Sequence, residues 1–267
     1  MATELKDEFP LAILAAALAK FQPPEGAFAP GGGWTQRYGL YTIGQRSLAR
    51  VGAVVLRRSA PDGGPVLRVD YRKQFPGVHT GVVEAEIRSG RGGEWAPRSW
   101  RVVYQAATPQ GKALAGTRIE KSGRVVGDAI EIRDATTTRR IPRPEAFTLN
   151  WLLFDAVQRL PRAAFEPKRF TLLDDFDVVK ANHTLSYRKT VEVLLGGRRV
   201  QKQRWETLEK GRIRRASWGR EGDRPVRLHA YDHLGDGIVP EVYYVDDAGR
   251  LLFVVAGIEA YVWEAVQ

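Results

Sequence analysis

The residues best suited to chemistry are few, and they fall in three short stretches. "HAYDHLGD" (229–236) carries His229 and His233 four apart, with Asp232 and Asp236 beside them. On a helix that spacing turns two imidazoles toward one metal ion. The preceding "RPVRLHAY" alternates like a strand, however, and strand residues four apart are separated by about 13 Å, too far to share an ion. The expectation is polar residues at a strand end, with no metal. "LLDDFDVVKANH" (172–183) offers Asp174, Asp175 and Asp177, with His183 following. Two carboxylates work as acid and base only when held about 5–10 Å apart across a cleft. Adjacent strand residues point to opposite faces, so Asp174 and Asp175 read as a turn or strand end. "VYYVDDAGRLLFV" (242–254) sets Asp246 beside Asp247 between alternating apolar runs. With Gly249 free to take a positive φ, the pair reads as a tight turn that sets strand register.

Other chemistry is missing from the chain. It has no cysteine, so disulfides, thiolate metal sites and thiol nucleophiles are excluded. No G-x-S-x-G serine motif is present, and "GGGW", "SGRGG" and "LGGRR" lack the lysine–hydroxyl ending of a phosphate loop. No catalytic residue and no cofactor is nominated. A hydrolase built on Asp174 and Asp175, or on the 229–236 cluster, stands as an alternative.

The net charge is +10 and the sequence pI about 9.9, a balance that attracts nucleic acid, anionic headgroups or acidic polymers. The densest basic stretch is 196–215, "GGRRVQKQRWETLEKGRIRR", with eight bases against two acids. Arg198, Arg199, Lys202, Arg204, Arg212 and Arg214, interleaved with Trp205 and Trp218, form a candidate polyanion-binding hairpin. The competing reading is a hairpin with a solvated arginine face, which also resists edge-to-edge aggregation.

Chemistry of this kind needs a scaffold, and the patterning is that of strands. "VLRVDYR" puts Leu67, Val69 and Tyr71 on one face, and "WRVVYQ" groups Trp100, Val102 and Tyr104. "TLSYRKTVEVLL" continues the alternation through Leu185, Tyr187, Val191 and Val193. Turn signals fall between such runs at "PDGG" (61–64), "SGRGG" (89–93), "KSGR" (121–124), "LGGRR" (195–199) and "EKGR" (209–212). Short strands with glycine turns at this spacing predict an antiparallel sheet that curls or closes.

"RPEAFTLNWLLFDAVQRLPR" (143–162) breaks the pattern. It predicts a helix over about 145–160, apolar around nearly its whole circumference, with Thr148, Asp155 and Arg159 sharing a narrow polar stripe. Such a helix must be enclosed, so the fold class is mainly β (α+β): a strongly curved antiparallel sheet or half-barrel wrapped around one apolar helix. The helix separates two strand-rich halves, roughly 34–135 and 166–267.

At the N-terminus, "LAILAAALA" (11–19) is about half the length needed to cross a bilayer. Its leader carries three acids against Lys6, unlike a secretory signal, so a short helix with Asp7 near its cap and Pro10 in its first turn is expected. The domain reading is therefore 1–33 as an N-terminal helix and Pro/Gly linker, and 34–267 as one β-rich domain.

The basic curved sheet, the apolar helix and the terminal hairpin together resemble bacterial envelope proteins of the LolA/LolB lipoprotein-carrier fold. Pro240, Tyr244, Val245, Asp246, Gly249, Arg250 and Leu251 carry the match. The resemblance covers the last third of the chain and the general strand order. It implies a periplasmic or envelope location, no catalysis, and a pocket between sheet and helix for an acyl chain or other apolar ligand. A lipobox cysteine is missing, which removes lipid anchoring of the LolB kind. The expected ligand-lining residues are Trp151, Phe154, Val157, Tyr244 and Phe253, with Asp155 and Arg159 placed to orient a headgroup; the competing reading is a filled core. A protein partner in the concavity, or contact with an anionic membrane surface, is a further expectation.

Overall fold

The computed structural model describes residues 8–18, 21–44, 48–75, 77–90, 93–195, 198–208, 211–221 and 224–265, with the backbone alone for 93–94, 198–208, 211–221 and 224. A short 3-10 turn, Leu11–Leu14, leads into helix α1, Ala15–Leu18. Eight strands follow: β1 (Trp34–Ile43), β2 (Leu48–Ser59), β3 (Val66–Phe75), β4 (His79–Gly90), β5 (Gly93–Ala107), β6 (Ile119–Val126), β7 (Ala129–Arg133) and β8 (Thr138–Pro142). The centre of the chain is β9 (Phe147–Leu149), helix α2 (Asn150–Ala156) and a 3-10 turn, Val157–Arg159. Then come β10 (Lys168–Asp174), β11 (Val178–Leu195), β12 (Arg198–Leu208), β13 (Gly211–Glu221), β14 (Arg224–Leu234), β15 (Glu241–Asp246), β16 (Leu251–Ala256) and β17 (Glu259–Glu264).

Fifteen of these strands form one sheet in the order β8-β7-β6-β5-β4-β3-β2-β1-β17-β16-β15-β14-β11-β10-β9. Two meanders, one from each half of the chain, are thus joined where β1 pairs antiparallel with β17, Leu40 opposite Tyr261. Every neighbour pair is antiparallel except β9 with β10. The ladder does not close on itself, so the architecture is a curled, barrel-like sheet, as the strand periodicity predicts. β12 and β13 pair only with each other, as a two-stranded sheet.

Each face of the sheet has its own core. On the concave face, Leu67, Val69, Trp100, Val102, Leu185 and Tyr231 pack with Trp151, Leu153 and Phe154 of α2. On the convex face, Leu11, Leu14, Leu18 and Phe21 of the N-terminal segment cover Leu228, Val242, Tyr244, Phe253 and Val262. The segment is pinned at its start by Glu8, whose Oε2 lies 2.8 Å from Lys189 Nζ. A short helix is therefore present where the apolar run 11–19 predicts one, preceded by Pro10.

Three sequence expectations are corrected. First, the long helix is shorter: Phe147–Leu149 is a strand pairing with Thr171–Leu173, and α2 itself spans Asn150–Ala156. Second, "KSGR" is no turn but lies inside β6. Gly123 is needed there because a Cβ would sit 2.1 Å from the Trp100 ring. Third, the alternation Leu185–Tyr187–Val191–Val193 does not stay on one face. A bulge between Tyr187 and Lys189 adds a residue, so Leu185 and Tyr187 join the concave core while Val191 and Val193 join the convex one. The turn signals at 91–92, 196–197 and 209–210 and the cap Asp7 lie outside the described residues.

Candidate functional site

Helix α2 lies where the curled sheet comes back toward itself. Trp151 stacks obliquely on Tyr71 of β3, with ring centroids 5.7 Å apart, and meets Tyr261 of β17 edge-on at 6.3 Å. Phe154 meets Tyr38 of β1, Tyr243 of β15 and Tyr261 edge-to-face, at 6.0, 5.8 and 5.2 Å. Rings from both meanders thus grip one turn of helix, an arrangement aromatic quadrupoles favour.

Of the expected polar stripe, Asp155 and Arg159 are paired, whereas Thr148 lies in β9 with its buried Oγ1 making no hydrogen bond. Asp155 Oδ1 lies 3.1 Å from Arg58 Nε of β2 and 2.6 Å from Arg159 Nη1 one turn on. Arg58 also donates through Nη1 to the carbonyls of Gly31 and Gly32, which ties the linker to the helix. With all three side chains at least nine-tenths buried, each charge relies on these partners rather than on water. Beside it Gln36 and Gln158 exchange side-chain hydrogen bonds of 2.8 and 3.1 Å. Tyr38 donates to Gln36 Oε1 and to the Leu251 carbonyl, so the amide pair joins β1, the 3-10 turn after α2 and β16.

The two ends of the sheet are held by side chains. The turn between β10 and β11 reaches across to β5, β6 and β8. Trp100 Nε1 donates to the Phe176 carbonyl at 3.1 Å, and Tyr104 Oη to the Asp175 carbonyl at 3.1 Å. Asp177 pairs with Lys121 at 2.8 Å and accepts, through its carbonyl, from Arg139 Nη2. Asp175 and Phe176 both have positive φ, 51° and 69°, the left-handed geometry a type I′ turn requires at its central positions. A phenylalanine there is costly, by about 1–3 kcal/mol. The Phe176 ring is fully buried in the concave core, which offsets that cost. Asp174, the remaining acid of this stretch, pairs with Lys180 at 2.6 Å. The three carboxylates are thus divided among different partners as parts of one structural turn.

Of the expected ligand-lining residues, Trp151, Phe154, Asp155, Val157 and Arg159 come together along α2 and the 3-10 turn after it. Tyr244 and Phe253 do not join them: both belong to the convex core beneath the N-terminal segment. Arg198, Arg199, Lys202, Arg204, Arg212 and Arg214 lie on the β12–β13 hairpin, where the backbone register sets Arg204 opposite Arg215 and Arg199 opposite Arg220.

The histidines of "HAYDHLGD" separate into two chains of hydrogen bonds. His233 lies 2.9 Å from His183 Nδ1 through Nε2 and 2.9 Å from Glu241 Oε2 through Nδ1, with Phe170 stacked on its ring. Burial, and then the neighbouring His233, hold the His183 pKa below the ordinary histidine value. His229 reaches Thr190 Oγ1 through Nδ1 and Asp247 Oδ1 through Nε2, each at 2.8 Å. Sequence reading missed this second chain. The bulge that brings Thr190 to the His229 side is invisible in the alternation, and only the β15–β16 turn brings Asp247 close. The turn forms as read from the sequence: Gly249, at φ 95°, donates to the Asp246 carbonyl, and Arg250 N to Asp246 Oδ1. Burial raises the Asp246 pKa. Among the described residues no group of three His, Asp or Glu side chains is arranged to hold a metal ion.

No protein-family model matches this chain, and no curated protein sequence does. Among solved structures it is similar to the crystal structure of a beta-barrel-like protein of Domain of Unknown Function DUF1849 from Brucella abortus. The TM-score is 0.50 at 10% identity, over 88% of this chain and 96% of that one. At that identity the likeness concerns fold alone. The chain is thus a mainly β protein whose barrel-like architecture has a solved counterpart over nearly its full length.

Proposed function

We propose that the protein is a non-catalytic, envelope-associated binding protein that takes an apolar or amphipathic ligand into the concavity of its sheet, displacing part of α2. The observation that carries this reading is the way α2 is enclosed. Aromatic rings of both meanders close on Trp151 and Phe154, while the two ends of the sheet are latched by side chains rather than by a continuous ladder. An apolar plug behind such a latch can be exchanged for an acyl chain without breaking a β-ladder. In the liganded state the Arg58–Asp155–Arg159 group faces the ligand's head. Tyr244 and Phe253 act from the other face, as the wall on which the N-terminal segment rests. The lipoprotein-carrier resemblance of the terminal hairpin points to the same class of ligand and to the periplasm.

Titration of detergent-free protein with a fluorescent acyl probe tests the reading. Saturable uptake with energy transfer from Trp151, reduced in Trp151→Phe, is expected. Absence of saturable uptake, or transfer unchanged by Trp151→Phe, would overturn it.

A second reading, polyanion binding by β12–β13, has its own support. Arginines directly opposite one another at 204/215 and 199/220 destabilise a hairpin unless an anion lies between them. An oligonucleotide bound there would dissociate steeply with added salt, whereas an apolar ligand would not. A flat salt response would remove this reading.

A further inference from the structure

The large apolar side chains left exposed are not scattered. Of the nine among the described residues, eight lie at one end of the sheet, on or beside the turns there; the ninth is Phe9. Phe75 and Val78 come from the β3–β4 turn and Ile119 from the β5–β6 connection. Val178 and Val179 follow the β10–β11 turn, Leu234 and Val239 flank the β14–β15 loop, and Ile258 tips the β16–β17 turn.

Side-chain and backbone contacts join these turns into one rim. Tyr104, opposite Ile119, reaches Asp175, and Lys180 Nζ donates to the Gly237 carbonyl at 2.8 Å. Val239 lies against Gly257, and Ile43 N donates to the Ile258 carbonyl. Lys73 pairs with Glu259, which closes the path back to Phe75.

The charge of this end differs from that of the whole chain. Its described turn segments (73–75, 77–79, 108–119, 134–137, 174–180, 235–241 and 257–259) hold four bases against seven acids, a net −3 in a protein of +10. The basic hairpin is inserted at the opposite end, between Leu195 and Arg224, which pair across β11 and β14. An anionic surface is therefore not what this end is built to meet. Separate apolar tips on independent turns also suit a fluid layer, where each inserts by itself, better than a rigid protein face.

We propose that this rim docks on a neutral, zwitterionic lipid surface through its apolar turn tips. The inference deepens the binding-protein reading by naming where an apolar ligand would be exchanged, and it rests on that reading for its purpose only.

The test is flotation of the full chain with vesicles of phosphatidylcholine alone and of phosphatidylcholine with phosphatidylglycerol. Val78, Val239 and Ile258, each more than three-fifths exposed, are replaced together by aspartate, and Phe9→Asp serves as an apolar-loss control away from the rim. The rim variant is expected to keep the parental melting temperature and to bind phosphatidylcholine at least about tenfold more weakly, with Phe9→Asp unchanged. The proposal is overturned if the parent ignores phosphatidylcholine, or if the rim variant binds as well as the parent. Binding confined to phosphatidylglycerol vesicles and abolished by salt would assign contact to the basic strands and also overturn it. So would concentration-dependent self-association that the rim variant loses, in the absence of vesicle binding. Acyl-probe uptake is measured without vesicles, so either claim can fail alone.

Discussion

Asp155 sits between two arginines in a region water does not reach, which makes it the residue whose loss should be felt most. Replacing it with alanine removes the carboxylate from between Arg58 and Arg159, and such changes cost about 3–5 kcal/mol. Urea denaturation should show an unfolding free energy lowered by that amount, as a lower midpoint with an unaltered slope; a change under about 1 kcal/mol would mean the group is solvated. His183 makes a second prediction at this scale. Its pKa is depressed below 6.5 by burial and by His233, while Asp174 and the Asp236 backbone oppose the shift and Lys180 adds to it. The unfolded chain therefore binds a proton first as pH falls, so this contribution is fully present above about 6.5 and declines below it. Melting temperature should drop from pH 7 toward pH 5, and His183→Gln should flatten that drop. A profile identical in the variant would contradict the assignment. His229 and Asp247 show why residue-scale function was hard to read from sequence. Types and spacing located the histidines and the acidic turn, but their pairing depends on a one-residue bulge at Tyr187/Lys189 and on a neighbouring hairpin.

At the level of elements, strands with unbroken alternation were legible because burial on one face enforces period two. β3 and β5 place Leu67, Val69, Trp100 and Val102 on the concave side as their spacing demands. Legibility failed where a residue serves a long-range contact. Gly123 looks like a turn glycine, yet it sits in β6 because the Trp100 ring lies over it. Gly123→Ala should destabilise by about 1–3 kcal/mol through overpacking, seen as a lowered thermal midpoint; a neutral result would mean the indole moves freely aside. The helix was foreseen in place but not in length, since Phe147–Leu149 finds parallel partners in β10 that local sequence does not announce. The β10–β11 turn is the element on which the latch depends. Asp177→Ala removes the carboxylate facing Lys121 and Arg139, and should speed amide exchange at 174–178 while costing only about 1 kcal/mol overall. Exchange rates equal to the parent would show that the latch does not hold the turn.

For the whole molecule, one continuous sheet folded around α2 gives three layers: α2 inside, the sheet, and the N-terminal segment outside. The split of apolar residues between two faces explains why Tyr244 and Phe253, adjacent in sequence character to the helix side chains, belong elsewhere. Along the other axis, the molecule has an apolar, slightly acidic rim at one end and a basic hairpin at the other. The central claim is that the concavity exchanges its own helix for an apolar ligand. Native mass spectrometry of protein isolated from its own cells without detergent tests this most directly. The expected result is a subpopulation carrying one lipid-sized adduct, enlarged when Trp151 and Phe154 are both replaced by alanine in a chain that remains folded, because those rings compete with the ligand for the concavity. A uniformly ligand-free mass, or an adduct indifferent to those substitutions, would contradict it.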